Sequence, residues 1–195
     1  MYRSFIKPLF DWIIAMLASV ILLPLFIVVS LCIRISSPGP VFFLQDRIGR
    51  YGKVFRIIKF RSMRIDFPVV KSTKLYETDP RITSFGRFIR KTSIDELPQI
   101  FNILKGDMSF IGPRPPLTIF PKRFEDYTDF EKQRFDVKPG ISGLAAIRCR
   151  EIHDWNINIP IDVEYVKTLS FKNDIKLFLL SLAAFMKTDN IYSEE

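Results

Sequence analysis

Two adjacent carboxylates, Asp95 and Glu96, lie just before Pro98. Proline is tolerated in the first turn of a helix, so the pair is predicted at or just before a helix N-terminus. Backbone N–H groups and the helix dipole favour negative charge at that place. Carboxylates in this position are suited to binding a divalent cation or to acting as a nucleophile. Arg90 and Lys91 add positive charge shortly before them.

Arg114 lies between prolines in the sequence Gly112-Pro113-Arg114-Pro115-Pro116, which restricts its backbone. Arginine makes bidentate contacts with phosphate groups. A rigidly held arginine near carboxylates that are able to hold Mg²⁺ indicates phosphoryl chemistry. Helix capping is the alternative role for the carboxylates, because Ser93-x-x-Glu96 matches a capping box and Asp95 could itself be an N-cap.

The composition of the 195-residue chain predicts one domain with a substantial core, since 48% of the residues are hydrophobic. A net charge of +8 is typical of proteins that bind nucleic acid, anionic lipid or phosphorylated substrates. The sequence contains no helix-turn-helix, RNP or zinc-binding pattern, so no nucleic-acid partner is expected. Cys32 and Cys149 indicate no disulfide framework, and His153, the single histidine, argues against histidine-based triads and metal sites.

An apolar segment from Trp12 to Ile33 contains no charged residue. About 20 such residues suffice to cross a bilayer as a helix. The segment is longer than the apolar part of a usual signal peptide, and no small-residue cleavage site follows it, which disfavours cleavage. The sequence therefore predicts a membrane helix.

Pro24 lies in the middle of this segment, where proline removes a backbone donor and kinks a helix. Basic residues flank both ends: Arg3 and Lys7 before it, and Arg34, Arg47 and Arg50 after it. The positive-inside rule places both flanks in the cytoplasm. These observations favour a re-entrant helix broken at Pro24 over a single membrane span. Asp11, near the start, is expected to pair with Arg3 or Lys7.

The remaining elements follow from periodicity and turn residues. Residues 41–63 predict a short β-hairpin around a Gly-Arg-Tyr-Gly turn. Gly106 is predicted to close a helix that begins at Leu97. Three further helices are predicted: a short basic amphipathic helix over 82–91, an exposed helix over 120–136 and another over 161–169. An apolar helix near the C-terminus is expected to be N-capped by Asn173 or Asp174.

Several motifs together resemble the bacterial sugar transferase family, in particular its small monotopic phosphoglycosyl transferases. Each motif alone is weak, but their order and spacing are specific. They are Lys7-x-x-x-Asp11 with Pro24, Ser37–Phe42, Gln45-x-Arg47-x-Gly49, Lys59–Met63, Asp79–Thr83, Arg90–Gln99, Asn102–Pro115, Pro139–Gly143 and Asp162–Tyr165. The resemblance implies the minimal form of the family, which is expected to be without the N-terminal multi-span region of larger relatives.

The resemblance implies transfer of a sugar phosphate from a UDP-sugar to undecaprenyl phosphate, with release of UMP. The reaction would occur at the cytoplasmic face of the bacterial inner membrane. Asp95 would be the nucleophile that forms a covalent phosphosugar intermediate, and Glu96 would help to hold Mg²⁺ or to manage protons. The cations that the resemblance assigns to substrate phosphates are Arg90, Arg114, Arg150, Lys59 and Arg61.

The expected fold is α+β and mainly helical, with a re-entrant membrane helix in residues 1–35 and a cytoplasmic catalytic domain with interfacial helices in residues 36–195. The phenylalanine-rich composition is compatible with a homodimer. Residues 144–151 depart from the family pattern, with Ala146, Cys149 and Glu151 at positions that usually hold Gln, Gly and Asn. This departure leaves one alternative function, a non-catalytic membrane-anchored scaffold of a glycan assembly complex.

Overall fold

The computed structural model describes residues 1–65, 79–149 and 154–186. The described part of the chain is mainly helical and contains two short sheets, which confirms the predicted α+β class. A π-helical turn at Tyr2–Ile6 leads into helix α1 at Lys7–Ile21, and helix α2 follows at Leu23–Ser36. Leu22 separates the two helices, and Pro24 is the second residue of α2.

The N-terminal helices expose much of their apolar surface. The continuous helix from Tyr2 to Ile21 is long and apolar enough to cross a membrane by length and composition. Leu17 is 60% exposed and Val20 is 67% exposed. The opposite surface is buried in the domain, where Ala15 packs in one cluster with Ile57 and Ile103, and Ile33 packs in another with Phe60. The re-entrant course through a membrane remains a prediction.

A β-hairpin follows α2, and its prediction is confirmed. Strand β1 at Phe42–Ile48 pairs antiparallel with strand β2 at Val54–Phe60, so that Phe42 is opposite Phe60. The turn contains Tyr51 and Gly52 with positive φ. Ile57 and Phe60 are buried, whereas Arg56 on the same strand is exposed. The hairpin therefore has an apolar face on the core and a basic face toward solvent.

The segment that carries the two carboxylates packs against β2. Helix α3 at Ser84–Lys91 is followed by a 3-10 helix at Ile94–Gln99 and by helix α4 at Ile100–Lys105. Gly106 ends α4 in the left-handed conformation, as predicted, with φ of 86°. Asn102 is fully buried and bonds to β2, because its Oδ1 accepts from Ile58 N at 3.0 Å and its Nδ2 donates to Arg56 O at 2.7 Å. These bonds hold α4 to the hairpin strand.

A second sheet pairs two three-residue strands in parallel: β3 at Ser109–Ile111 and β4 at Gly140–Ser142. Residues 120–136, which lie between these strands, were expected to form an exposed helix. Instead it forms three short helical pieces, and Arg134 and Phe135 are buried. The pieces are a 3-10 helix at Phe124–Asp126, helix α5 at Asp129–Lys132 and a 3-10 helix at Gln133–Asp136.

Helices α6 at Leu144–Arg148, α7 at Trp155–Lys167 and α8 at Phe171–Met186 complete the described chain. The predicted N-cap at Asp174 is wrong, because Asp174 lies inside α8 and is buried. Its Oδ2 accepts from Lys7 Nζ at 2.7 Å, and its Oδ1 accepts from Tyr165 Oη at 2.8 Å. Lys7 also lies 4.0 Å from Asp11, which confirms that predicted pair. The network joins α8 to the N-terminal helix.

Candidate active site

The two carboxylates lie in the first turn of the 3-10 helix Ile94–Gln99, which begins after Ser93 in the left-handed conformation. The Ser93 side chain makes no capping hydrogen bond, so the predicted capping box is not formed. The Glu96 side chain instead crosses to strand β2. The local structure therefore supports a role for this carboxylate other than capping.

Lys59 and Arg114 both approach Glu96. Lys59 Nζ donates to Glu96 Oε1 at 2.6 Å, and Arg114 Nη2 lies 4.0 Å from the same oxygen. The Glu96 side chain is 25% exposed and that of Arg114 is 58% exposed. Three groups predicted from the sequence are thus brought together from β2, from the 3-10 helix and from the proline-rich segment after β3. They line one open cleft.

The cations around Glu96 keep it ionised. Burial alone raises the pKa of the Glu96 carboxyl, because it disfavours the charged form. The charges of Lys59 and Arg114 outweigh burial, and hydrogen bonds with Lys59 and Gln99 add to their effect. The resulting pKa of Glu96 is about 2.

Asp95 has the opposite shift. Burial raises the pKa of its carboxyl, and the neighbouring negative charge of Glu96 raises it further. Lys59 and Arg90 lower it in part, and the resulting pKa of Asp95 is about 6. Two adjacent carboxyls with widely separated pKa values are a pattern found where each has a different chemical role.

The other predicted cations differ in their surroundings. Arg90 Nε donates to Ser62 Oγ at 2.7 Å, and its charge acts on Asp95. Arg61 is buried, and its guanidinium donates to the carbonyls of Ser37 and Pro38 at the end of α2. The structure therefore shows Arg61 bound to the loop after α2. Arg150 and His153 lie outside the described residues.

Arg47 is a cleft residue that sequence reasoning did not select. It lines the cleft together with Lys59, Glu96 and Arg114. Burial and the charge of Arg114 lower its pKa to about 10, although Glu96 acts in the opposite direction. The only signal in the sequence is its place in the Gln45-x-Arg47-x-Gly49 motif, which does not distinguish it from the other basic residues of the hairpin.

Among the described residues no three His, Cys, Asp or Glu side chains cluster in a way that could hold a metal ion. Asp95 and Glu96 provide two neighbouring carboxyl groups. Mg²⁺ is commonly bound by one or two carboxylates together with substrate phosphates and water. The donor set therefore fits a magnesium ion that arrives with, or is completed by, a phosphorylated substrate.

Comparison with protein families shows the class to which this fold and site correspond. Residues 2–188 match the model of the bacterial sugar transferase family. Since the match includes the N-terminal helices, the hairpin and the carboxylate segment, the chain belongs to the bacterial sugar transferase family.

Curated relatives share this region. The chain is 47% identical over 156 residues to a galactosyl transferase, CpsE, of Streptococcus agalactiae, covering 74% of this chain and 34% of that protein. It is 39% identical over 186 residues to a UDP-N-acetylgalactosamine-undecaprenyl-phosphate N-acetylgalactosaminephosphotransferase of Aeromonas hydrophila, covering 94% of this chain and 44% of that protein. It is 36% identical over 193 residues to a UDP-glucose:undecaprenyl-phosphate glucose-1-phosphate transferase of Caulobacter vibrioides, covering 95% of this chain and 72% of that protein. The chain thus spans less than half of the first two proteins.

Proposed function

We propose that the chain transfers a sugar 1-phosphate from a UDP-sugar to undecaprenyl phosphate, giving undecaprenyl diphosphate sugar and UMP. The observation that carries this proposal is the Asp95–Glu96 pair, with pKa values of about 6 and about 2, beside Lys59 and Arg114. Relatives named for this transfer are at least 36% identical over nearly the whole chain, which supports the same substrate classes here.

Asp95 is proposed as the nucleophile. At pH 7 a carboxyl with a pKa of about 6 is mostly ionised, and it is less stabilised as an anion than an exposed aspartate. One of its oxygens forms a bond to the phosphorus that carries the sugar, and the bond from that phosphorus to the bridging oxygen breaks. The bridging oxygen leaves with UMP. The product is a phosphosugar ester of Asp95, and covalent catalysis divides one difficult transfer into two steps.

The second step returns the enzyme to its starting state. An oxygen of undecaprenyl phosphate attacks the same phosphorus, and the bond to Asp95 breaks. The carboxylate is regenerated and the sugar diphosphate is attached to the lipid. Nucleoside and lipid phosphates use the site in turn, so the cations of the cleft serve both steps.

Glu96 and the cations are proposed to hold the phosphates. With a pKa of about 2, Glu96 stays negative throughout the physiological range and is suited to hold Mg²⁺ together with Asp95. A bound magnesium ion supplies charge neutralisation at the phosphate oxygens. Arg114 presents a planar guanidinium for bidentate phosphate contact, and Lys59 and Arg90 supply further positive charge.

The membrane location belongs to the same proposal. Helices α1 and α2 expose many large apolar side chains, including Leu17, Val20, Ile21 and Leu31, and exposed apolar patches mark sites of interaction with proteins or membranes. A re-entrant course that leaves both ends in the cytoplasm would keep the cleft at the cytoplasmic face of the bacterial inner membrane. The lipid phosphate lies at that interface.

UMP release tests the proposal directly. Purified protein in nanodiscs would be supplied with undecaprenyl phosphate, Mg²⁺ and each of UDP-glucose, UDP-galactose and UDP-N-acetylgalactosamine. We expect UMP release with at least one donor, abolished in Asp95→Asn and retained in Asp126→Asn, a matched change at an exposed aspartate. Absence of release from folded wild-type protein with a wide panel of nucleotide sugars would favour the scaffold alternative.

The covalent step has a separate test. Incubation with the active donor in the absence of undecaprenyl phosphate should raise the intact mass of the protein by one sugar phosphate. The adduct should be absent from Asp95→Asn and should disappear on addition of undecaprenyl phosphate. UMP release that continues at the normal rate in Asp95→Asn would eliminate Asp95 as nucleophile.

A further inference from the structure

The proline-rich segment around Arg114 is held almost entirely through its carbonyl groups. Pro113, Pro115 and Pro116 have no backbone N–H, so they cannot donate to a neighbouring strand. Four consecutive carbonyls each accept a hydrogen bond. The pairs are Pro113 O with Gly140 N at 3.0 Å, Arg114 O with Arg134 Nη2 at 2.9 Å, Pro115 O with Arg47 Nη1 at 3.0 Å, and Pro116 O with Ile48 N at 3.0 Å.

Two arginine side chains donate two of these four hydrogen bonds. Arg134 comes from the 3-10 helix Gln133–Asp136 and bonds to the carbonyl of Arg114 itself. Arg47 comes from β1 and bonds to the next carbonyl. They contact the segment from different elements of the fold, so the peptide that carries the Arg114 side chain is fixed from two directions.

The environment of Arg134 suits a fixed anchor rather than a substrate contact. It is 1% exposed, and its Nε and Nη2 bond to the buried carboxylate of Asp162 on α7. Its guanidinium also lies 5.4 Å from the ring centre of Trp155. A buried arginine with a carboxylate partner and an aromatic neighbour has little conformational freedom.

Arg47 is held in a similar way. Its Nη2 donates to Gln45 Oε1 at 2.7 Å while its Nη1 contacts Pro115 O. Both terminal nitrogens are therefore directed at protein acceptors. The Arg114 guanidinium, by contrast, is more than half exposed and lies beside Glu96 at the cleft. Arg47 and Arg134 thus bond to the backbone of the segment, whereas the side chain of Arg114 is available to a ligand.

We propose that Arg47 and Arg134 are positioning residues that hold the peptide of Arg114, so that its guanidinium stays beside Glu96 for contact with substrate phosphate. The catalytic consequence rests on the proposed function, whereas the mechanical part concerns only the segment 112–116. Misplacement of a substrate-binding group by about 1 Å can cost on the order of a hundredfold in rate.

Hydrogen–deuterium exchange tests the mechanical part without any substrate. The Arg47→Met variant keeps a long apolar stem and loses the donors. Peptides covering residues 109–119 should exchange faster in it than in wild type. Arg56→Met, at a 74% exposed arginine of the same hairpin, should leave their exchange unchanged. Equal exchange in the two variants would overturn the proposal, whether or not the protein proves to be a transferase.

A double-mutant cycle tests the catalytic part once a donor is known. Arg47→Met should lower kcat/KM for UMP release by about tenfold to a hundredfold in the wild-type background. In an Arg114→Lys background, which already lacks the guanidinium, Arg47→Met should lower kcat/KM by less than about threefold. Multiplicative losses would show that Arg47 acts independently of Arg114 and would overturn the proposal.

Two further variants keep the test valid if Arg47→Met folds poorly. Arg47→Lys retains the charge and one donor nitrogen, so it should show smaller changes than Arg47→Met in both exchange and rate. Arg134→Met combined with Asp162→Leu removes the buried pair together, which avoids leaving an unpaired charge. Faster exchange of residues 109–119 in the folded double variant would support Arg134 as a positioning residue. Unchanged exchange would show that Arg134 does not hold the segment.

Discussion

Lys59 Nζ lies 2.6 Å from Glu96 Oε1, although 37 residues separate them along the chain. The contact joins the hairpin strand β2 to the 3-10 helix that carries both carboxylates. It lowers the pKa of Glu96 and that of Asp95, which also feels Arg90. One lysine therefore sets part of the charge state of the whole carboxylate pair.

Replacement of Lys59 by Met should shift the pH dependence of the reaction. Without the lysine charge, the pKa values of Glu96 and Asp95 both rise, so the ionised fraction of each carboxyl falls at low pH. The acid limb of the rate profile should move to higher pH, and kcat/KM at pH 7 should fall by about tenfold or more, as expected for loss of a charged hydrogen bond. Rates of UMP release between pH 5 and 9 measure this, with the exposed Lys53→Met as control. A profile that coincides with wild type would show that Lys59 does not set the carboxyl ionisation on which the reaction depends.

Asp95→Asn should stabilise the protein while removing its activity. The folded pKa of Asp95 is about 6, above the ordinary 3.8, so ionisation of this carboxyl opposes folding. This cost is absent below about pH 4, grows between pH 4 and 6 and is complete above pH 6. A neutral amide avoids it, with a gain of about 1–3 kcal/mol at pH 7.5. Thermal unfolding in nanodiscs with EDTA should show a Tm about 2–8 °C higher than wild type at pH 7.5.

The pH dependence of that gain separates the cause from a general packing effect. The Tm difference between Asp95→Asn and wild type should shrink as the pH falls from 6 to 4. Asp126→Asn should show no such trend. A difference that is constant from pH 4 to pH 7.5 would contradict the raised pKa.

The sequence predicts the local elements of this protein better than its long-range contacts. Alternating basic and apolar residues indicate the hairpin, and Gly106 marks the end of α4, because both signals act within a few residues. Asp174 was predicted as a helix cap, since an aspartate before an apolar helix usually has that role. Its side chain instead pairs with Lys7, which lies 167 residues away, and no local pattern in the sequence indicates that contact.

In the candidate site, too, residues with a local signal were predicted and residues defined by long-range contacts were not. The carboxylate pair and Arg114 stand out by residue type and by neighbouring prolines, and the structure brings Lys59 to them. Arg47 and Arg134 could not be selected, because their role depends on which carbonyl they reach. Strands β3 and β4 contain three residues each, too few for an alternating pattern to be read.

Arg114→Lys should reduce transfer strongly even though the charge is kept. A lysine ammonium cannot reproduce the two parallel donors of a guanidinium. The backbone contacts of the segment 112–116 involve no Arg114 side-chain atom, so folding should be unaffected. We expect kcat/KM for UMP release to fall by about tenfold to a thousandfold, the range given by loss of one or two charge-assisted hydrogen bonds. Unchanged kinetics with unchanged Tm would show that the reaction does not need the guanidinium group of Arg114.

Pro24→Ala tests the proposed course of the N-terminal helices. Pro24 is the second residue of α2, directly after Leu22 separates α2 from α1. Alanine restores a backbone donor and favours a continuous helix through this point. Residues 2–36 would then be long enough to span a bilayer, and the N-terminus should move to the periplasmic side.

A cysteine placed at position 4 should be labelled by a membrane-impermeant maleimide in intact cells carrying Pro24→Ala. In the otherwise unchanged protein it should be labelled only after the cells are opened. Protection in both would show that the basic flanks, Arg3 and Lys7 on one side and Arg34 on the other, determine the topology without the proline.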